Sequence, residues 1–241
     1  KGLPLAPAEA IVNSKHENLV RQVSSDVMLN GCLHDESVLE RFCDTYKNWI
    51  VGSKLNTVNG LDEFPIANYS QGTSESFDKF YLKNSQRRFK CFRGEYLYHI
   101  LSWQRYYPNN WNFITSLEDL QIGDAVVVSF PFADLGYCHP EFTRQFLNRC
   151  HELDIPVLID AAFFGICGGI DFDFDHPAIT DICFSLSKTF PVNYLRIGIR
   201  FTRAGNDGIS IYHNSQYVNR MGAALGEKLL QTQGPDDNYS S

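Results

Sequence analysis

The pattern of hydrophobic and polar positions changes at about residue 60. Residues 1 to 60 are mostly polar and helical in pattern. Five large apolar residues recur there at helical spacing: Val38, Leu39, Phe42, Tyr46 and Trp49. This spacing predicts a helix over Asp35–Trp49, with Asp35 as its N-cap. From about residue 64 onward, short apolar runs alternate with amphipathic segments.

The second part of the chain predicts strands that alternate with helices. The predicted strands are Phe64–Asn68, Phe89–Phe92, Ala125–Ser129, Pro156–Ile159, Asp181–Ser185 and Gly198–Phe201. The predicted helices are Ser74–Leu82, Tyr96–Gln104, Pro140–Leu153 and Tyr212–Leu230. Continuous apolar strands separated by helices indicate an α/β fold with a mostly parallel sheet. We expect an N-terminal helical segment over residues 1–61, a large domain over 62–205, and a helix and tail over 206–241.

Composition excludes several classes of protein. Hydrophobic residues make up 44% and charged residues 20% of the 241, as in a globular protein with a core. The net charge of -7 argues against a nucleic-acid partner, and the sequence predicts neither a membrane span nor a signal peptide. The seven cysteines are widely spaced, which predicts reduced thiols in a cytoplasmic protein. His139, His151 and Glu152 lie on or near one polar helix, and we interpret them as solvated side chains, with no metal site.

Two predicted strands end in residues that carry chemistry. Val157-Leu158-Ile159 leads into Asp160, and Ile182-Cys183-Phe184 leads into Ser185, Ser187 and Lys188. In open α/β sheets, ligands bind outside the carboxyl ends of the strands. The sequence therefore predicts a ligand site at this edge of the sheet.

Asp160 and Lys188 each have a chemical and a structural interpretation. Lys188 lies among Leu186, Phe190 and Pro191, where partial desolvation would lower its pKa and free the amine to attack an aldehyde. The alternative is a surface lysine. Asp160 ends an apolar strand, so its carboxylate needs a cation such as a protonated pyridine nitrogen. The alternative is a capping or turn aspartate.

Two other segments offer groups that bind phosphate. Arg196 is a charge inside the apolar run Leu195–Ile199, and its guanidinium suits phosphate as well as it suits a structural salt bridge. Gly72, Thr73 and Ser74 precede or begin a predicted helix, whose free N–H groups and hydroxyls would bind phosphate. For these three residues alone, an ordinary N-cap is the simpler interpretation.

Together these residues resemble the class I/II aminotransferases, the fold-type-I enzymes that depend on pyridoxal 5'-phosphate (PLP). The resemblance covers roughly residues 62–205. It implies that Lys188 forms a Schiff base with PLP, that Asp160 pairs with the pyridine nitrogen, and that Arg196 binds the phosphate. It further assigns phosphate contacts to Ser185, Ser187 and Gly72-Thr73-Ser74, and a ring stacked on the cofactor to Tyr96. The implied fold is a three-layer αβα large domain, with an incomplete small C-terminal domain and a homodimeric assembly.

The chain departs from the family pattern at two positions. Ala133 stands where the family commonly has an asparagine, and Phe163 stands where it commonly has a tyrosine. Both usual donors to the phenolic oxygen of PLP are therefore missing. The family also continues well past residue 241, so we expect a truncated chain without the arginine that binds the substrate carboxylate.

The resemblance implies an aminotransferase that acts on an amino acid and a 2-oxo acid. Another PLP-dependent reaction, catalysed by a decarboxylase, lyase or racemase, stays open because the same residues would support it. A catalytically inactive binding domain with the same fold is a further alternative. A nucleotide-binding domain or a serine hydrolase is disfavoured, because the sequence has no GxGxxG, Walker or GxSxG motif.

Overall fold

The computed structural model describes residues 14–22, 27, 35–133, 136 and 138–239. Helix α1 is described over residues 14–22. The other helices are α2 (Val38–Val51), α3 (Gly72–Lys83), α4 (Leu97–Tyr106), α5 (Pro140–Glu152), α6 (Gly208–Asn214) and α7 (Arg220–Thr232). The strands are β1 (Thr57–Asn59), β2 (Ile66–Ser70), β3 (Arg88–Phe92), β4 (Trp111–Ile114), β5 (Asp124–Ser129), β6 (Val157–Asp160), β7 (Asp171–Asp173), β8 (Ile179–Ser185) and β9 (Gly198–Thr202).

Seven strands form the central sheet in the order β2-β9-β8-β6-β5-β3-β4. The pairs β6/β8, β5/β6, β3/β5 and β3/β4 are parallel. Strand β9 is antiparallel to both of its neighbours, β8 and β2. A second, two-stranded sheet pairs β1 with β7 in parallel.

The sheet separates two apolar layers, because successive side chains of a strand point to opposite faces. On one face, Ala125 and Val127 of β5 pack in a cluster with the aromatic side chains of α3 and α4. On the other face, Val126 belongs to the larger cluster that contains residues of α2, α5 and α7. The structure therefore confirms an α/β fold with three layers and a mostly parallel sheet.

All six predicted strands are present, each within two residues of the predicted bounds. Strands β1, β4 and β7 are not predicted by the sequence pattern. Strand β4 lies at the edge of the sheet, where only Ile114 of its four residues is buried. A short, partly exposed strand leaves neither a continuous apolar run nor a clean alternation, which explains the omission.

Two helix predictions need correction. The first predicted helix begins at Val38 instead of Asp35, and Asp35 accepts a hydrogen bond from the Ser37 N–H (3.1 Å) ahead of the helix. The predicted helix Tyr212–Leu230 is wrong as a single helix. It divides into α6 and α7, because Gln216 adopts a left-handed conformation (φ 59°) and the Asn219 side chain caps a new helix at the Gly222 N–H (2.8 Å).

Helix α2 buries its apolar stripe in the main core. Phe42 and Tyr46 are almost fully buried, and α2 packs against α7 and β2. Residues 1–13, 23–26 and 28–34 of the predicted N-terminal segment lie outside the described residues. Among the described helices, none is long and apolar enough to cross a membrane.

Candidate functional site

The carboxyl ends of three strands bring polar side chains to one edge of the sheet. Asp160 ends β6, beside Ser129 on β5 and Cys183 on β8, and Ser185 on β8 lies beside Gly198 on β9. Because β9 runs in the opposite direction, its start lies at this same edge. The structure therefore places Asp160, the turn that carries Lys188, and Arg196 at the same edge of the sheet.

Asp160 is a buried carboxyl group. Its side chain is 6% exposed, and Oδ1 accepts a hydrogen bond from the Ala162 N–H (3.0 Å). Burial raises the pKa of Asp160 to about 7, and the opposing effects are that hydrogen bond and the positive charge of Lys188. Desolvation disfavours the charged carboxylate, so a cation that binds here would stabilise it.

Lys188 lies in the turn that follows β8. The main chain fixes this turn, because the Leu186 N–H donates to the Ile197 carbonyl (3.0 Å) and the Phe190 N–H donates to the Leu186 carbonyl (2.9 Å). Leu186 and Phe190 are fully buried, whereas Lys188 is half-buried. Lys188 is close enough to Asp160 for its charge to lower the pKa of that carboxyl.

Arg196 reaches across to the start of α3. Its Nη2 donates to Ser74 Oγ (3.3 Å) and to the Gln71 carbonyl (3.4 Å), and its Nη1 donates to the Asn193 carbonyl (3.1 Å). Free N–H groups in the first turn of a helix attract anions. Arg196 and the predicted phosphate cup, which we define as Gly72, Thr73 and Ser74, therefore form one corner of the site, which we call the cationic corner. The Glu75 carboxylate also lies at this helix start, where its Oε2 accepts from the Gln71 N–H (2.8 Å).

Gly72 gives the guanidinium room in this corner. Its φ is 68°, and a Cβ atom built on it would lie 2.3 Å from Arg196 Nη2. A Cβ on Gly198, the first residue of β9, would lie 2.9 Å from the Gly72 Cα. Glycine at both positions is therefore needed for the close approach of β9, the helix start and Arg196.

Ser185 and Ser187 form a hydrogen-bonded pair with Oγ atoms 2.7 Å apart. Ser185 Oγ also contacts the Ile197 carbonyl (3.3 Å) and accepts a hydrogen bond from the Ser187 N–H (3.2 Å). Both serines are buried. The pair ties the turn of Lys188 to the segment that leads into β9, so Ser185 has a structural role beside the predicted phosphate contact.

Tyr96 directly precedes α4, and the residue is 46% exposed. The ring stacks on Tyr98 (centroids 6.0 Å apart, interplanar angle 14°) and meets His99 edge-on. An exposed aromatic face beside the site is compatible with the predicted stacking role, which stays a prediction.

The structure adds two site residues that sequence reasoning missed, Glu95 and Ser129. The Glu95 side chain is 5% exposed, its Oε1 accepts from the Ser129 N–H (2.8 Å), and its Oε2 accepts from Ser129 Oγ. Burial raises the pKa of Glu95 to about 8, and the negative charge of Asp160 contributes to that rise. The available signal was a carboxylate that follows the carboxyl end of a predicted strand, the same signal that identified Asp160.

The site has the dimensions and the groups that PLP would need. Asp160 on β6 and the start of β9 are two inter-strand steps apart, roughly 10 Å, which is comparable to the length of PLP. A buried carboxyl with a raised pKa lies at one end, and an arginine beside a helix start lies at the other. The residues present therefore fit this cofactor.

Among the described residues, no group of three or more His, Cys, Asp or Glu side chains could hold a metal ion.

Solved structures with the same architecture were found by structural comparison. Cystalysin from Treponema denticola, which contains a pyridoxal 5'-phosphate cofactor, matches with a TM-score of 0.73 and 11% identity, over 95% of this chain and 64% of its own. Alanine aminotransferase from Pyrococcus furiosus matches with a TM-score of 0.69 and 13% identity, over 92% and 63%. The PLP-bound C-S lyase from Staphylococcus hominis matches with a TM-score of 0.63 and 10% identity, over 96% and 70%.

These matches define the fold of the chain. It is the fold of the PLP-dependent transferases of fold type I, as the sequence resemblance implied. The chain spans about two thirds of the length of these structures. Neither the protein-family models nor the curated protein sequences give a match.

Proposed function

We propose that this protein binds pyridoxal 5'-phosphate and acts as an aminotransferase on an amino acid and a 2-oxo acid. The observation that carries the proposal is the shared location of Lys188, Asp160 and Arg196 at one sheet edge, on a fold that PLP enzymes use. A single lysine, aspartate or arginine would not support it. Together they match three parts of one cofactor: Asp160 matches the pyridine nitrogen, Lys188 the aldehyde and Arg196 the phosphate.

Each residue has a separate task in the proposed reaction. Arg196 and the phosphate cup bind the phosphate group through charge-assisted hydrogen bonds. Asp160 holds a proton on the pyridine nitrogen, and PLP when bound supplies an aldehyde for amines and an electron-accepting ring. The Lys188 amine would hold the cofactor at its aldehyde, and would carry a proton to or from the substrate α-carbon. Tyr96 would cover one face of the ring, and Ser185 and Ser187 would support the phosphate end.

An absorbance spectrum with added PLP tests the cofactor site. We expect wild type to develop a near-visible absorbance band. Borohydride should remove this band and leave the cofactor permanently attached to Lys188, as peptide mass analysis would show. Lys188→Ala should lose the fixed adduct. Lys228→Ala, at an exposed position on α7, is the matched control and should behave as wild type. No band in wild type would refute the proposed function, and an adduct at another lysine would refute the role of Lys188.

A different PLP-dependent reaction is the second candidate. The side chains of Ala133 and Phe163 carry no hydrogen-bond donor at the two positions where the aminotransferase pattern has one. The fold also serves C-S lyases, as the Staphylococcus hominis structure shows. Product analysis distinguishes a decarboxylase, lyase or racemase from an aminotransferase, because only transamination yields a new amino acid from an added 2-oxo acid. A chain that binds PLP and turns over no amino acid would be an inactive binding domain.

A homodimer is supported by an exposed apolar patch next to the phosphate cup. Tyr194 and Tyr217 are 89% and 81% exposed, and Leu195 and Met221 are also exposed. Asn219 Nδ2 donates to the Leu195 carbonyl (3.2 Å), which holds the two parts of the patch together. Large exposed apolar side chains that cluster often mark an interface. We infer that a second copy covers this patch, and sedimentation of Tyr194→Ser against wild type tests it.

The cytoplasm is the proposed location. The six described cysteines are free thiols, and Cys32 lies outside the described residues. Reduced thiols are typical of proteins in a reducing compartment. Mass analysis of alkylated thiols in freshly purified native protein tests this assignment, and disulfides in that sample would contradict it.

A further inference from the structure

The segment that follows α7 contacts both loops of the candidate site. Its Asn238 Nδ2 donates to the Thr189 carbonyl (2.9 Å), which is next to Lys188 in sequence. The same Nδ2 donates to the Gly165 carbonyl (3.2 Å), in the loop that follows Asp160. One side-chain amide therefore bridges the two loops, and the proposed reaction gives this amide no task.

The two loops also contact each other directly. Thr189 Oγ1 donates to the Phe164 carbonyl (3.3 Å). A Cβ atom built on Gly165, whose φ is 89°, would lie 2.7 Å from Thr189 Oγ1 and 2.7 Å from the Trp49 ring, so glycine is needed for this close approach. Gly165 and Thr189 are buried, and water would therefore not fully replace a donor that their carbonyls lose.

Other residues of the segment orient the Asn238 amide. The carbonyls that Asn238 contacts can only accept hydrogen bonds, so its NH2 group must face them. On the opposite side, Gln233 Nε2 donates to Asn238 Oδ1 (2.9 Å), and the Gln233 carbonyl accepts from Trp49 Nε1 (2.7 Å). Asp236 accepts a hydrogen bond from Ser53 Oγ (2.6 Å), which ties the segment to the residues after α2.

Both bridged loops lead directly to the groups of the proposed chemistry. In the loop after Asp160, the Phe164 N–H donates to the Ala161 carbonyl (3.0 Å) and closes a turn. The turn that carries Lys188 is closed in the same way by the hydrogen bond from the Phe190 N–H. Because each turn is closed, a link between the turns also restrains the carboxyl of Asp160 relative to the amine of Lys188.

We propose that Asn238 is a positioning residue, whose side-chain amide holds the turn of Lys188 against the loop that follows Asp160. The inference rests on the proposed function for the cofactor that these two residues would hold. A ligand that contacts Asp160 at its ring and Lys188 at its aldehyde needs both groups at one separation. Loss of the amide would lower the fraction of the protein that has this separation, and the apparent dissociation constant would rise in proportion.

Titration with two ligands tests this inference. PLP gives its near-visible band only through the Lys188 amine, whereas pyridoxine 5'-phosphate has no aldehyde and depends on the ring and phosphate contacts alone. Asn238→Asp keeps an acceptor for Gln233 and removes the donor to both carbonyls. The dissociation constant of PLP should rise about tenfold, because two buried hydrogen bonds are lost. The affinity for pyridoxine 5'-phosphate, measured by fluorescence, should not change.

Two further variants complete the titration. Asn112→Asp, the same change at an exposed position on β4, is the matched control and should bind both ligands as wild type does. Asn238→Ala removes the donor without adding a charge, and it should weaken PLP binding in the same direction. Equal losses of affinity for the two ligands, or an unchanged affinity for PLP in both Asn238 variants, would overturn the inference.

Hydrogen exchange of the free protein tests the link without any cofactor. In Asn238→Ala, the amides of Phe164 and Phe190 should both exchange faster, because one side chain restrains both turns, while the amide of Leu147 on α5 should be unchanged. Faster exchange in one turn only would overturn the inference. Wild type that gives no near-visible band with PLP would refute the proposed function instead, and the exchange rates would still decide whether Asn238 links the loops.

Discussion

Replacement of Gly72 by alanine tests how the cationic corner is built. The alanine Cβ would lie 2.3 Å from Arg196 Nη2 and 2.8 Å from Arg196 Cζ. The guanidinium is the far end of a flexible side chain, so it would move away at little cost in strain. By moving, it loses its contacts with Ser74 Oγ and with the Gln71 carbonyl, which are 3.3 and 3.4 Å long.

The expected loss of stability is modest, and the expected loss of affinity is larger. Gly72 has a φ of 68°, and an alanine in this left-handed conformation costs about 1–2 kcal/mol. The two lost contacts are long, so they add no more than about 1 kcal/mol. A phosphate group that loses its charge-assisted contacts with Arg196 loses about 1.5–3 kcal/mol. That range corresponds to about a 10- to 100-fold rise in the dissociation constant of PLP.

Gly123→Ala is the matched control. Gly123 also has a left-handed conformation (φ 88°), but nothing lies within 4 Å of a Cβ atom built there. Urea unfolding should show a loss of about 1–2 kcal/mol for this control, close to that of Gly72→Ala. Fluorescence titration with PLP should show weaker binding only for Gly72→Ala. Equal affinity in the two variants would refute the assignment of the phosphate to the corner of Arg196 and Gly72.

Three further outcomes are expected. Arg196→Lys keeps the charge and loses the planar fork, so the dissociation constant of PLP should rise about tenfold in fluorescence titration, and an unchanged value would contradict a forked phosphate contact. Asp160→Asn should shift the pH dependence of the cofactor's visible absorbance, because the ring nitrogen loses its carboxylate partner, whereas the exposed Asp62→Asn should not. The raised pKa of Glu95, about 8 against an ordinary 4.5, contributes stability that is complete below about pH 4.5 and is lost as the pH rises through about 8. Wild type should therefore lose roughly 2–3 kcal/mol more than Glu95→Gln between about pH 5.5 and 7.5 in urea unfolding, and parallel curves would contradict a buried, protonated Glu95.

The parts of the fold that the sequence predicted are those with strong local signals. The continuous apolar runs of β5, β6 and β8 are buried on both faces, so each run alone indicates a central strand. The break between α6 and α7 was missed, because the apolar pattern continues across it. What divides these helices is the backbone of Gln216 and the cap at Asn219, and a hydrophobic pattern contains neither.

The candidate site also contains residues that the sequence predicts and residues that only the folded structure reveals. Asp160 and Lys188 could be found because each follows a buried strand, and strand ends share an edge in a parallel sheet. Glu95 follows a strand too, but its partner Ser129 is 34 residues away in sequence and reaches it only in the folded sheet. A contact between a loop residue and the end of another strand leaves no spacing pattern, so the Glu95 carboxyl could be recognised only from its buried hydrogen bonds.

One connection between strands contains both Lys188 and Arg196, which lie eight residues apart. Strand β8 ends at Ser185, the chain turns, and β9 returns antiparallel from Gly198. A parallel β9 would need a long crossover and would begin at the opposite edge of the sheet, far from Lys188. The antiparallel return also lets β2 pair with β9, with Ser70 beside Gly198, so that the next residues begin α3 at Arg196. The direction of one strand therefore brings together the amine of Lys188, the guanidinium of Arg196 and the helix start at Gly72.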